Sequence, residues 1–152
     1  MSQPVSKCAE SHTASASTGY ADQASGSPPI IRKPTVVYAC SGSTDAGELA
    51  DRTARRLAQT KIADMSCLAG IGGRVQRVIA RAECADQILV IDGCPMNCAK
   101  RTLEFAGFQH FRHLELHQLG FQKGACPVTP ERIAVAVDAA VKLILHPGPA
   151  KI

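Results

Sequence analysis

A chain of 152 residues, 45% of them hydrophobic, is long enough to close one domain around a continuous core. Its formal charge of +4 comes from scattered basic residues, without runs of like charge or basic–aromatic interleaving, so a nucleic-acid partner is not indicated. No apolar run approaches the roughly 20 residues that span a bilayer, and the first residues lack the apolar core of a secretory signal. The expectation is a cytoplasmic protein without a membrane partner.

Residues 1–33 are rich in Ser, Ala, Thr and Gly, close on Pro28-Pro29, and read as a flexible tail that carries Cys8 and His12 incidentally. A folded unit is expected over 34–147, followed by a short tail, 148–152. It opens with "TVVYAC" (Thr35 to Cys40), a β-branched apolar run that predicts a strand. In "SGSTDAGELADRTARRLAQ" the residues Ala46, Leu49, Ala50, Thr53, Ala54 and Leu57 recur at helical spacing, with Thr44 or Asp45 as cap. "KIADMSC" (Lys61 to Cys67) predicts a weaker strand. "LAGIGGRVQRVIARAE" predicts a glycine loop that enters a helix through Val75, Val78 and Ile79. "DQILVIDGC" is apolar on both faces, as central parallel strands are. "PMNCAKRTLEFAG" predicts a helix with Pro95 in its first turn and Gly107 as its stop. "FRHLELHQLGF" alternates as a fourth strand, the loop "QKGACPVTP" follows, and "PERIAVAVDAAVKLIL" predicts a last helix.

Four strand–helix units with few aromatics (four Phe, two Tyr, no Trp) imply an α/β fold. The expected architecture is a Rossmann-like three-layer sandwich on a mostly parallel four-stranded sheet of order 2-1-3-4. In such sheets ligands sit at the carboxyl edge, near the point where strand order reverses.

Seven cysteines need an explanation in a reducing compartment, where disulfide scaffolds are rare. Cys40 ends the first strand, Cys67 the second and Cys94 the third, and Cys98 lies one helical turn beyond Cys94. Parallel strands deliver such ends to one edge, about 4.8 Å apart. Two sulfurs on one tetrahedral zinc stand just under about 4 Å apart, given bonds of about 2.3 Å. Placed at i and i+4 of one helix, Cys94 and Cys98 would share a face. Cys40, Cys67, Cys94 and Cys98 are therefore the candidate metal ligands. Helix N-termini favour their thiolate form. Backbone N–H groups of "CSGS" and of Gly72-Gly73 could reach the sulfurs, and Arg74, Lys100 and Arg101 could offset the negative charge of the site.

The segments "IDGCPMNCAKRTLE", "ACSGSTDAGELA" and "MSCLAGIGG" resemble the DGC domain family, small bacterial and archaeal proteins named after a central Asp-Gly-Cys motif. The similarity runs from about Pro34 to Leu145, and its most specific piece is Asp92-Gly93-Cys94 with Cys98. The resemblance implies zinc binding through four cysteines, which fall here on Cys40, Cys67, Cys94 and Cys98. It supplies a site and not a reaction.

Other chemistries fit less well. A phosphate-cradling loop built on Cys40 would need Arg at position 46, which is Ala46. The Cys-x3-Cys-x2-Cys motif of radical enzymes would need a cysteine where Arg101 stands, and a Cys-x2-Cys redox pair is absent. No catalytic constellation emerges. Cys126 could join the site or be a loop residue, and Cys84 is expected to be structural. Asp92 is expected to accept hydrogen bonds from the turn into the following helix. His113 and His117, four apart on the expected strand, would face the same way, as surface residues or as accessory ligands, and His110 lies just before it. The leading expectation is a protein that holds Zn²⁺ in a closed four-thiolate site, with a structural, sensing or metal-handling role. The alternative is a redox protein that uses the same thiols for an iron–sulfur cluster or a disulfide cycle. An unknown protein partner or a small anionic ligand at the glycine loops is a further expectation.

Overall fold

The computed structural model describes residues 34–42 and 44–146. The tails expected at 1–33 and 148–152, with Cys8 and His12, lie outside the described residues. Four strands, β1 (Thr35–Ala39), β2 (Asp64–Met65), β3 (Gln87–Asp92) and β4 (Arg112–Glu115), form one sheet in the order β2-β1-β3-β4. Every pairing is parallel, so the expected order and the parallel topology hold.

Side chains alternate across β1 and β3 and divide the core in two. Val37, Ala39, Leu89 and Ile91 pack on one face with Leu49, Leu57, Ala136 and Ala140 of helices α1 (Asp45–Gln59) and α5 (Pro130–Leu145). Val36, Tyr38, Ile88 and Val90 pack on the other face with Ile71, Ala82, Ala99 and Leu103. These last four belong to α2 (Leu68–Gly72), α3 (Gln76–Glu83) and α4 (Cys98–Phe105). Three layers result.

Local chemistry sets the helix ends. Thr44 and Thr129 cap α1 and α5, each side chain accepting from the backbone N–H three residues on, Gly47 and Arg132. Gly107, at φ +96°, stops α4 as its sequence position predicts.

Four elements differ from the sequence reading. The second strand, expected over Lys61 to Cys67, is only Asp64–Met65, because the N–H groups of Lys61, Ile62 and Ala63 still bond to the last carbonyls of α1. The expected glycine loop over 68–73 contains the five-residue helix α2, tight because a Cβ on Gly70 would stand 2.7 Å from Val78. The fourth strand is only four residues long. The chain then tightens into a 3-10 turn over Leu116–Leu119, which ends at Gly120, at φ +88°. The fourth helix does not begin at Pro95: 94–97 form a turn, and Asn97 sits in the left-handed region at φ 53° immediately before Cys98.

Candidate metal and ligand site

The parallel register fixes where the thiols start. Cys40 N–H donates to the carbonyl of Ile91 at 2.9 Å, which extends the β1–β3 ladder and sets Cys40 beside Asp92 at the carboxyl edge. Ser66 N–H donates to Val37 O at 3.0 Å, which extends β2 along β1 toward the same edge and places Cys67 directly after it. Cys94 lies two residues beyond β3, and Cys98 is the first residue of α4.

Their surroundings differ. Cys40 is buried, Cys94 half-buried, and Cys67 and Cys98 exposed; all four are free thiols. Burial pushes the Cys40 thiol above its ordinary pKa, and this outweighs the backbone N–H groups of Gly93 and Gly42 that pull the other way. The nearby Asp92 carboxylate and Cys98 also raise it. For Cys40 the expected lowering by helix ends is therefore corrected: desolvation wins. The Cys67 sulfur accepts from Gly70 N–H at 3.3 Å and caps the short helix α2.

Asp92 organises this edge. It is 1% exposed, and its two oxygens accept from Ala99 N–H at 2.8 Å and Lys100 N–H at 3.0 Å. These are the second and third residues of α4, whose N–H groups have no partner inside the helix. Asn97 offers no side-chain cap, so the carboxylate at the end of β3 does that work from six residues upstream of Cys98. The expectation that Asp92 serves the turn into the helix is met. The same carboxylate meets His113 Nε2 at 3.0 Å, which ties β4 to the cap.

Gly93 is required by close approach. A Cβ there would lie 2.4 Å from the Ala46 carbonyl oxygen, and one on Gly47 would lie 2.9 Å from Gly42 N. The start of α1 thus presses onto the backbone of both thiol loops, and no side chain fits between.

Several expected roles fall elsewhere. Cys94 and Cys98 do not share a helical face, because Cys94 precedes the helix. Gly73 N–H donates to Ala69 O, so Gly72-Gly73 close α2 instead of serving the Cys67 sulfur. Arg74, in the left-handed region at φ 56°, donates to Phe105 O at 2.6 Å and Ala106 O at 3.2 Å. It caps the far end of α4 and leaves the thiols alone. Lys100 pairs with Glu104 at 3.9 Å. Cys126 is buried in the α1–α5 cluster, on the face of the sheet opposite the one that Cys40 packs against. Its N–H donates to Asp45 at 2.7 Å, so it is a core residue of the loop. Cys84 caps the end of α3. His113 lies on β4 and His117 in the 3-10 turn, so the two share no strand face.

An open cleft of ≈ 670 Å³ lies next to this site, lined by Cys94, Pro95, Met96 and Arg101 on one side and His117, Gln122 and Lys123 on the other. Gln122 and Lys123 were not singled out in the sequence. The signal was Gly120 and Gly124, which bracket them and turn out to hold φ of +88° and +86°.

The donor chemistry suits a soft cation: four thiols lie around one sheet edge, and sulfurs receive backbone N–H groups. Among the described residues, however, no three His, Cys, Asp or Glu side chains are gathered closely enough to hold a metal ion. A metal held by these four thiols would require them to draw together.

The DGC domain family matches this chain over residues 36–140. The chain is 41% identical over 113 residues to the anaerobic and virulence modulator AnvM of Pseudomonas aeruginosa strain PAO1, across 74% of this chain and 86% of that protein. No solved structure gives a match. Among the described residues no helix is long and apolar enough to cross a membrane.

Proposed function

This chain belongs to the DGC domain family, and on that footing we propose that it is a metal-binding regulatory protein whose Cys40, Cys67, Cys94 and Cys98 hold one zinc ion. The observation that carries the reading is topological. Three neighbouring parallel strands, β2, β1 and β3, deliver Cys67, Cys40 and Cys94 to one edge, and the helix anchored by Asp92 begins with Cys98. Soft thiolates suit zinc, and four of them leave no position for a reactive water, so the reading favours sensing or metal handling over hydrolysis. The name of the Pseudomonas relative, a modulator, supports a regulatory role.

The residues divide the work. Cys40 is locked to the sheet by its bond to Ile91 O and is the fixed donor. Cys67 at the head of α2, and Cys94 in the turn before α4, stand on short connections and are the donors that close. Asp92 and Gly93 hold the frame between them. Metal content should follow the thiols: elemental analysis of protein purified without chelator should find one zinc per chain. Cys94→Ser and Cys98→Ser should lose it, and Cys84→Ser should keep it. Equal metal in all three variants would overturn the ligand assignment.

The exposure of Cys67 and Cys98 also favours a second reading, an iron–sulfur cluster or disulfide cycle on the same thiols. Brown protein with visible absorption after anaerobic purification would decide for the cluster. A reversible change in thiol count under oxidant would decide for the disulfide.

A further inference from the structure

The cleft beside Cys94 is not explained by metal binding. Its two walls come from different parts of the chain, the turn and first helical turn over 94–101 and the loop after the 3-10 turn, 117–123. Its volume of ≈ 670 Å³ falls within the range of small-molecule sites, roughly 300–1,000 Å³. No Asp or Glu lines it, while both walls carry cationic side chains, Arg101 on one and Lys123 on the other, with His117 beside Lys123. Several other bases are engaged: Arg52, Arg55, Arg81 and Lys100 face carboxylates, and Arg74 faces carbonyls. Among the described residues Arg101 and Lys123 have no carboxylate partner. Met96, 60% exposed, and Pro95 add an apolar patch on the Arg101 side.

We propose that this cleft binds a small organic dianion, a dicarboxylate or a phosphate-bearing metabolite, held between Arg101 and Lys123 with its carbon skeleton against Pro95 and Met96. A guanidinium grips a carboxylate or phosphate through two parallel N–H bonds, and the lysine on the facing wall supplies a point charge for the second acidic group. Gln122 adds a neutral amide, and His117 a ring nitrogen, at the mouth. Arg101 and Lys123 carry the recognition, and neither is a metal donor, so the site does not depend on the metal reading.

The test uses the full chain under reducing conditions in resin-treated, metal-free buffer, titrated with succinate, with inorganic phosphate and with neutral succinamide, and read by ¹H–¹⁵N chemical shifts. Saturable shifts of Arg101, His117 and Lys123 with succinate or phosphate are expected, weakened by salt. The tighter of the two identifies the acidic group. Arg101→Ala with Lys123→Ala should weaken binding by about tenfold or more. Cys98→Ser, which does not line the cleft, should bind the anion like the parent chain although it loses metal, which separates this site from the metal one. Equal shifts with succinamide, unchanged affinity in the double variant, saturation by neither anion, or shifts centred instead on Arg52, Arg55 and Arg56 would each overturn the proposal.

Discussion

Asp92 and Gly93 show how two residues of the Asp-Gly-Cys turn can be structural while the third is a candidate donor. Truncation to Asp92→Ala strips the acceptor from two backbone N–H groups and from His113. A buried donor left without a partner costs about 1–3 kcal/mol, so Asp92→Ala should lower unfolding stability by about 3 kcal/mol in denaturant titration. Gly93→Ala forces a methyl onto the Ala46 carbonyl, a backbone atom that cannot swing aside, and should cost at least about 2 kcal/mol. Gly107→Ala is the control: nothing lies within 4 Å of its Cβ position, and only the strain of φ +96° remains, about 1 kcal/mol. If Gly93→Ala and Gly107→Ala were equally stable, the close approach at Gly93 would not matter. Burial also orders the thiols. In reduced, metal-free protein, iodoacetamide should label Cys67 and Cys98 first, and Cys40 (7% exposed) and Cys126 (1%) only as the fold opens. Peptide mapping of a labelling time course reads this directly, and equal rates for all the free thiols would refute it.

Helix α5 was legible from end to end in the run "PERIAVAVDAAVKLIL", and the observed span is Pro130–Leu145, to which the structure adds Thr129 as cap. Helix α4 was misread by three residues for a physical reason. Pro95 is a fine first-turn residue, but the cap is the distant carboxylate of Asp92, and the left-handed Asn97 marks the true start. A cap six residues upstream leaves no local signature. Strand β4 was overextended because alternation in "LELHQL" continues past Glu115 into the 3-10 turn that ends at Gly120. Helix α1 adds a tertiary clamp that sequence did not show: Asp45 accepts from Gly124 N–H at 2.9 Å and Cys126 N–H at 2.7 Å. Those bonds hold its carboxyl below the ordinary 3.8. A carboxyl lowered in the folded state stabilises the fold above its unfolded pKa, and that contribution disappears as pH falls through the folded value. Asp45→Asn should therefore be less stable than the parent chain at pH 7, with the gap narrowing below about pH 4. Denaturant unfolding of both proteins at pH 7 and pH 3 measures the gap, and a gap unaffected by pH would remove Asp45 from the clamp.

At the level of the whole molecule, sheet order was legible and face assignment was not. Four alternating units imply a parallel sheet, and the order expected of a doubly wound one is the order found, β2-β1-β3-β4. They do not say on which face a loop cysteine will fall, and Cys126 entered the α1–α5 layer because Asp45 draws its backbone there. The four candidate donors are distributed over two strand ends, one turn and one helix start, and among the described residues they are not gathered into a metal-ligand cluster. A metal that gathers them would cross-link β1, the head of α2 and both sides of the turn before α4, and so oppose global unfolding as well as local fraying. A ligand that binds only the folded state stabilises it by about 2.7 kcal/mol at a free concentration of 100 times Kd. Zinc added to the apoprotein should accordingly raise Tm, and thiol protons should be released as it binds. The shift should persist in Cys126→Ser, measured against that variant's own lower baseline, because its thiol lies on the other face. It should vanish in Cys98→Ser, whose apoprotein should unfold close to the parent's temperature because that side chain is exposed and supports no core. If zinc left the parent Tm unchanged, or raised it equally in Cys98→Ser, the edge of this sheet would not be where the metal binds.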